Sequence, residues 1–130
     1  MKISKKSQYG LRAIVYLAKH SRKKAPCSLK EISRKEKISF DFLEKIMAEL
    51  EKAGFVGAKK GAGGGYFLAK PANKITPGNI VSVLEEDMTL VQCSGCPMAG
   101  RCTSEDVWDE LQESLDNTLN AVTIKDLIKK

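Results

Sequence analysis

The chain has 130 residues, of which 42% are hydrophobic and 29% charged, and its formal net charge is +6. This length suits one ordinary domain with its own core, so the four cysteines are not needed as disulfide supports. The N-terminal apolar stretch is short and interrupted by Arg12 and Lys19, which argues against a membrane span and a secretory signal. We therefore expect a soluble, cytoplasmic protein without a membrane partner.

Basic residues are concentrated in the first part of the chain. Residues 1–70 hold 17 Lys and Arg against 6 Asp and Glu, whereas residues 71–130 hold 5 against 10. A basic segment favours a polyanionic partner, because each neutralised phosphate releases condensed counterions. A solvated, lysine-rich surface explains the charge alone equally well.

Three amphipathic helices are predicted in the first part of the chain from apolar residues at helical spacing. The first covers residues 7–20, and the second covers residues 28–37, beginning with the capping pattern S-x-x-E. Ser39 caps the third helix, which ends at Gly54. Two short helices followed closely by a serine-capped helix outline a helix-turn-helix.

A β-hairpin is predicted over residues 55–70, where two short apolar strands flank a glycine-rich tip. A hairpin directly after the third helix is the wing of a winged helix. Its tip places Lys59 and Lys60 beside Gly61, so that a cation can closely approach a phosphate or the minor groove. The tip lacks the order G-x-x-x-x-G-K-[ST] and no helix follows it, so we reject nucleotide binding.

The remaining helices follow the wing. Thr76 caps a fourth helix that leads into a cysteine-rich segment, and Ser104 caps a long helix behind that segment. Residues 123–127 predict a short final helix. The long helix carries a narrow stripe typical of a dimer seam, so we expect a homodimer. The stripe comprises Trp108, Leu111, Leu115, Thr118 and Val122.

Three of the four cysteines lie within ten positions, in the order Cys93-x2-Cys96-x5-Cys102. In a reducing compartment such a group more often binds metal or responds to oxidation than forms a structural disulfide. Thiolates bind iron-sulfur clusters and zinc alike, and a cysteine of lowered pKa can instead act as a thiol switch. The residues alone leave these three hypotheses open. The isolated Cys27 is expected to be a buried, structural residue.

The chain resembles the winged-helix regulator family that includes IscR, NsrR and CymR. The resemblance rests on "KISKKSQYGLRAIVYLA", "ISFDFLEKIMAELEKAGFV", "KKGAGGGYFLAKP", the three cysteines and "VWDELQESLDNTLNAVTIKDLI". It implies a mostly α fold with a small β-hairpin wing. The expected parts are a winged helix-turn-helix domain (1–86), a cysteine-rich cluster-binding loop (87–103), and a dimerisation helix with a short C-terminal helix (104–130).

The resemblance also implies a homodimeric bacterial transcription regulator that binds a pseudo-palindromic double-stranded DNA operator. The exposed start of the third helix would enter the major groove, with Ser39 as its cap and Asp41, Glu44 and Lys45 facing base edges. By analogy with IscR, Glu44 would help to choose between operators, and Lys60 occupies the position of a wing arginine. No enzyme is expected, since no recognisable catalytic arrangement is present.

In such regulators the three loop cysteines hold an iron-sulfur cluster, so the resemblance implies Cys93, Cys96 and Cys102 as ligands, with 2Fe-2S favoured over 4Fe-4S. The cluster would sense redox state, nitric oxide or iron. IscR has a histidine three residues after its last cysteine, where this chain has Glu105, the candidate fourth ligand. NsrR uses an aspartate of the partner subunit, where this chain has Gln8.

The alternative cofactor is zinc, or a thiol switch, at the same cysteines. In that case the chain would be a winged-helix regulator or an interaction module that docks a regulatory protein partner. CymR-like family members bind a cysteine-biosynthesis enzyme in this way.

Overall fold

The computed structural model describes residues 2–93 and 95–129. Within these ranges it contains six α-helices, one 3-10 turn at Ala72–Lys74 and one antiparallel hairpin. The predicted helices and hairpin are all present. In chain order the elements are α1 (Lys5–His20), α2 (Leu29–Glu36), α3 (Phe40–Lys52), β1 (Val56–Lys59), β2 (Gly65–Leu68), α4 (Pro77–Leu84), α5 (Glu105–Asn120) and α6 (Ile124–Ile128).

The core lies where α1, α3 and α4 pack against one another. Each of these helices buries one apolar face, as their amphipathic sequences predict. The last helix, α6, returns to this core: Ile124 is fully buried, and its amide donates to the carbonyl of Ile75 at 2.8 Å. The C-terminal helix therefore packs on the N-terminal unit, while the expected division at residues 86 and 103 stays a prediction.

Helix α5 is different, because none of its residues is buried. It rests on α4, where Gly78 leaves room for Asn120. A Cβ atom at position 78 would lie 2.4 Å from the Asn120 Oδ1 atom. That oxygen accepts a hydrogen bond from the Thr76 hydroxyl at 2.7 Å, so the start of α4 and the end of α5 are tied together.

Most helix starts are capped as predicted, with two differences. At Thr76 and Thr123 the capping box is complete. Ser28 caps α2, but the Glu31 carboxylate accepts from the Tyr16 hydroxyl instead of returning to the cap. Ser104 occupies the cap position without a side-chain bond, because its backbone is helical rather than in the extended conformation that capping requires. No helix in the described part of the chain is long and apolar enough to cross a bilayer.

Candidate nucleic-acid interface and cysteine loop

The turn between α2 and α3 is fixed by a side chain from α1. Lys37 ends α2 in the left-handed conformation, with φ 56°, and Ile38 is buried behind it. The Arg12 guanidinium donates to the backbone carbonyl of Glu36, and its Nε atom lies 3.3 Å from the Glu36 carboxylate. Because Arg12 satisfies the free carbonyl end of α2, it holds the helix-turn-helix in one geometry.

Helix α3 presents one apolar and one polar face. Its inward side chains, Leu43, Ile46, Met47 and Leu50, are fully buried. The predicted DNA-contacting residues Asp41, Glu44 and Lys45 lie together on the exposed face, as their spacing requires. Ser39 is also exposed, and its hydroxyl accepts from the Phe42 amide at 3.4 Å. These four residues therefore share the surface expected to meet DNA, with Ser39 occupied as the cap.

An ion pair links α1 to α3. The Lys6 Nζ atom lies 2.6 Å and 2.7 Å from the two carboxylate oxygens of Glu49. Both side chains are partly exposed, so we expect the pair to position the helices more than to stabilise the fold.

The wing is anchored to the segment that precedes α2. The Cys27 amide donates to the Tyr66 carbonyl at 2.9 Å, and the Tyr66 amide donates to the Cys27 carbonyl at 2.7 Å. A Cβ atom at Gly65 would lie 2.3 Å from the Cys27 carbonyl oxygen, so this approach needs a glycine. Next to this anchor, where Lys59 pairs with Gly65, the predicted tip residues 59–61 are exposed.

The wing also lies close to the polar face of α3. Burial raises the pKa of Tyr66, and the nearby Glu51 and Glu44 carboxylates raise it further. The exposed face of α3 and the wing are therefore adjacent parts of one surface.

Cys27 is 2% exposed, which agrees with its predicted burial. Burial and the neighbouring Glu31 carboxylate raise the pKa of its thiol to about 12. Tyr16, whose hydroxyl donates to Glu31, likewise has its pKa raised to about 12 by burial and by that carboxylate. Cys27 is therefore a protonated core side chain beneath the wing.

The cysteine loop, residues 87–103, connects α4 to α5, and its described turns lie after Cys93, at residue 95, at residues 97–101 and at residue 103. Backbone bonds from the Cys96 amide to the Cys93 carbonyl (3.1 Å) and from the Glu105 amide to the Cys102 carbonyl (3.2 Å) shape it. Cys93 and Cys102 are half-buried, Cys96 is exposed, and all three are free thiols.

The loop cysteines and Glu105 are electrostatic neighbours. The pKa of Cys93 is raised by burial first, then by the charges of Glu105 and Asp109, and then by Cys96 and Cys102. No group of three or more Cys, His, Asp or Glu side chains within residues 2–93 and 95–129 is close enough to hold a single metal ion.

The donor set nevertheless fits a thiolate-bound metal, because three thiols outside any disulfide share one loop, the Cys102 sulfur accepts, among the described residues, only from the Ser104 amide at 3.4 Å, and metal binding itself deprotonates and gathers its ligands. Gln8, the position of the partner-subunit ligand in NsrR, instead donates from its side-chain amide to the Ile3 carbonyl at 2.8 Å.

Two polar side chains that the sequence did not single out secure the cysteine loop. The Gln112 carboxamide in α5 accepts from the Leu90 amide at 2.8 Å and donates to the Met88 carbonyl at 3.0 Å. Just before these residues, at the end of α4, the Glu85 carboxylate accepts from the Ser4 amide at 2.7 Å. Neither residue carries a local sequence signal, since both partners are backbone groups more than twenty positions away.

The predicted apolar stripe of α5 is exposed within the single chain. Trp108 and Leu111 are each 39% exposed, and Val107 beside them is 59% exposed. Thr118 is exposed as well, whereas Leu115 is half-buried. A helix with this much uncovered apolar surface is typical of one that packs against a partner.

A sequence profile of the Rrf2 family, described as an iron-dependent transcriptional regulator, matches residues 3–130. The chain belongs to the Rrf2 family. It is therefore a bacterial DNA-binding transcriptional regulator and not an enzyme, as the sequence predicted.

Known Rrf2-family proteins match over nearly the whole length. The regulator IscR of Pectobacterium carotovorum is 33% identical over 131 residues, which cover 98% of this chain and 79% of IscR. The structure of CymR, the global cysteine regulator of B. subtilis, superposes with a TM-score of 0.85 at 31% identity, covering 99% of this chain and 97% of CymR.

The T. potens IscR structure superposes with a TM-score of 0.82 at 34% identity, covering 99% of this chain and 87% of that one. These likenesses confirm the predicted fold class, a winged helix-turn-helix with a hairpin wing and a long C-terminal helix.

Proposed function

We propose that this Rrf2-family chain is a homodimeric cytoplasmic regulator that binds a pseudo-palindromic operator, with an affinity set by an iron-sulfur cluster on Cys93, Cys96 and Cys102. One observation carries the proposal above the others. The three free thiols lie in a loop whose entrance is hydrogen-bonded to the exposed helix α5, through Gln112, directly after Glu85 ties the end of α4 to the start of α1.

The first part of the proposal, DNA binding, uses the exposed face of α3 and the wing. Glu44 can accept a hydrogen bond from a cytosine amino group, and Lys45 can donate to a guanine edge or to a phosphate. Lys59 and Lys60, at the wing tip, contribute affinity through phosphates rather than sequence selection.

The second part of the proposal, the homodimer, is supported by helix α5. Its uncovered stripe around Trp108 and Leu111 suits a second copy of the same helix related by two-fold symmetry. Two recognition helices related in this way match the two halves of a pseudo-palindrome.

The third part of the proposal, the cofactor, rests on the chemistry of the thiol ligands in the cysteine loop. Three thiolates suit an iron-sulfur cluster, with 2Fe-2S favoured over 4Fe-4S, and Glu105 is the candidate for the fourth ligand because it stands three residues after Cys102, at the start of α5. When bound, such a cluster supplies a group whose presence and oxidation state change with oxidants, nitric oxide and iron supply. The loop would then hold Glu85 and Gln112 in one arrangement with ligand and in another without it. A difference of this kind is enough to change the free energy of operator binding by about 1 to 3 kcal/mol.

Anaerobic purification tests the proposed cofactor directly. We would record the visible absorption spectrum and quantify iron, acid-labile sulfide and zinc per chain. Coloured protein with stoichiometric iron and sulfide, lost in Cys96→Ala and kept in Cys27→Ser, would support the proposal. Fluorescence anisotropy with the operator must then differ between the holo and apo dimers. Equal affinities would refute sensing while leaving DNA binding intact.

A second candidate function is favoured by the likeness to CymR. In this alternative, zinc or a thiol switch occupies the same three cysteines, and the exposed apolar surface of α5 docks a regulatory protein. Colourless protein that carries zinc after attempted reconstitution would point to this candidate. Its Cys96→Ala variant would then lose folding stability rather than a response to oxidants.

A further inference from the structure

Phe40, the first residue of α3, holds a large aromatic side chain in solvent. It is 45% exposed, although Phe42 two positions later is half-buried and packs edge-on against Tyr9 with ring centroids 5.7 Å apart. The two phenylalanines therefore differ in role: Phe42 belongs to the packing of α1 against α3, and Phe40 points away from it.

The position of Phe40 on the helix is well defined. Ser39 fixes the start of α3 by accepting from the Phe42 amide, so Phe40 stands at the leading end of the helix. Glu44 follows four residues later and is also exposed, which places the ring and the carboxylate on one stripe. Side chains tilt toward the N-terminus of a helix, so the Phe40 ring projects ahead of the other groups on that face.

A single exposed apolar residue is ordinary on a protein surface and needs no partner. The surroundings of Phe40 make it informative. Its neighbours on the exposed face, Asp41, Glu44 and Lys45, are all charged and exposed. A benzyl group at the leading end of a face proposed to read polar base edges has one apolar counterpart in the major groove, the C5-methyl group of thymine.

We propose that Phe40 packs against the C5-methyl group of a thymine in each operator half-site and thereby selects an A·T pair near the base pair read by Glu44. This inference rests on the proposed mode of DNA binding by α3 and deepens it. It assigns a sequence preference to a residue that has neither a charge nor a hydrogen-bonding group.

The experiment removes one methyl group at a time. Binding sites are selected by the full chain, in apo and reconstituted forms, from a pool of randomised DNA duplexes. Each thymine of the selected duplex is then replaced, symmetrically in both half-sites, by deoxyuridine. We expect one symmetric pair of replacements to weaken binding about fourfold per half-site, the loss of one buried methyl contact, as measured by fluorescence anisotropy.

Protein variants, combined with the deoxyuridine replacement, test the same contact from the protein side. Phe40→Ala should bind the thymine duplex more weakly and should no longer distinguish it from the deoxyuridine duplex. Phe40→Leu, which remains apolar, should keep part of the discrimination. Lys60→Ala is the matched control, because loss of a wing cation should weaken both duplexes equally and leave the methyl effect in place. Thermal melting of each variant checks that the fold is unchanged.

The outcomes separate this inference from the proposed function. Wild-type protein that binds its selected duplex tightly but tolerates every deoxyuridine replacement would overturn the role of Phe40 alone. Full methyl discrimination in Phe40→Ala would do the same. If neither form of the protein enriches any sequence from the pool, the proposed operator binding fails together with the inference.

Discussion

The carboxylate of Glu85 accepts a hydrogen bond from the backbone amide of Ser4 at 2.7 Å, across 81 positions of sequence. Glu85 ends α4 just before the cysteine loop, and Ser4 is the cap of α1. Two residues after Ser4, Lys6 forms an ion pair with Glu49 of α3. A displacement at the entrance of the loop therefore reaches α3 through two contacts at the start of α1.

The Glu85 contact should make stability depend on pH. Hydrogen bonds from Ser4 lower the pKa of Glu85 below its ordinary value, with a smaller opposing effect of burial. The stabilisation is therefore present above the ordinary carboxyl pKa and is lost as pH falls through the lowered one. In urea unfolding between about pH 7 and about pH 3, Glu85→Gln should give a flatter profile than wild type. Glu86→Gln, at the exposed neighbouring position, is the control and should follow the wild-type curve. The Asp87 and Asp126 carboxylates, whose pKa values are also lowered, are present in wild type and in both variants, so they do not affect the comparison.

Gln112 should control the order of the loop ahead of Cys93. Gln112→Ala removes both the acceptor for the Leu90 amide and the donor for the Met88 carbonyl, each bond being worth about 0.5 to 1.5 kcal/mol. We expect the Leu90 amide to exchange roughly tenfold faster in hydrogen-exchange NMR. Gln112→Glu keeps the acceptor and should preserve most of the protection. An unchanged Leu90 amide in Gln112→Ala would contradict the role of this clamp, and Glu110→Ala serves as the control on the same helix.

Gly78 should be sensitive to the smallest side chain. Gly78→Ala places a Cβ atom 2.4 Å from the Asn120 amide oxygen, which must leave the Thr76 hydroxyl. We expect a net loss of about 1 to 3 kcal/mol in the free energy of unfolding, although alanine is the better helix former. In an Asn120→Ala background the same substitution should become neutral or stabilising. A loss of equal size in both backgrounds would place the cause elsewhere.

Trp108 should anchor the proposed dimer. Trp108→Ala removes the largest exposed side chain of the α5 stripe, and truncation of such an anchor usually costs more than about 1 kcal/mol of binding free energy. Sedimentation velocity should show a dimer dissociation constant raised at least about fivefold. Glu113→Ala, on the opposite side of α5, is the matched control. A monomeric wild type, or a Trp108→Ala dimer of undiminished affinity, would rule out this interface.

The four thiols should react with iodoacetamide in a defined order once metal has been removed with a chelator. Cys96 is exposed and should be alkylated first, and the half-buried Cys93 and Cys102 should follow. Cys27 is buried with its pKa raised to about 12, so it should react only after unfolding. Peptide mass spectrometry assigns each site. Early modification of Cys27 in native protein would show that the wing opens from the segment beneath it.

The sequence predicted those features that depend on residues a few positions apart. The caps at Thr76 and Thr123, the buried face of α3 and its exposed acidic and basic residues all follow from local spacing. Ser28 shows the limit of such reasoning. Its expected partner Glu31 instead bonds to Tyr16, which tertiary packing brings within reach.

The candidate site was only partly predictable for the same reason. Cysteine spacing identified the loop, but how the entrance of the loop is held depends on Gln112 and Glu85, which bond to distant backbone groups. A glutamine within a helix has the sequence signature of a solvated residue. Only the folded chain shows that it organises a neighbouring segment.

The two backbone bonds between Cys27 and Tyr66 have a consequence for operator geometry. They join the wing to the segment that leads directly into α2, with Gly65 allowing the close approach. The wing is thereby held to the segment that enters the helix-turn-helix, and α3 leads directly into β1. In the proposed mode of DNA binding, we therefore expect a constant distance within each half-site between the bases that meet α3 and the flank that meets the wing, so that operators of different length would require a different spacing of the two subunits.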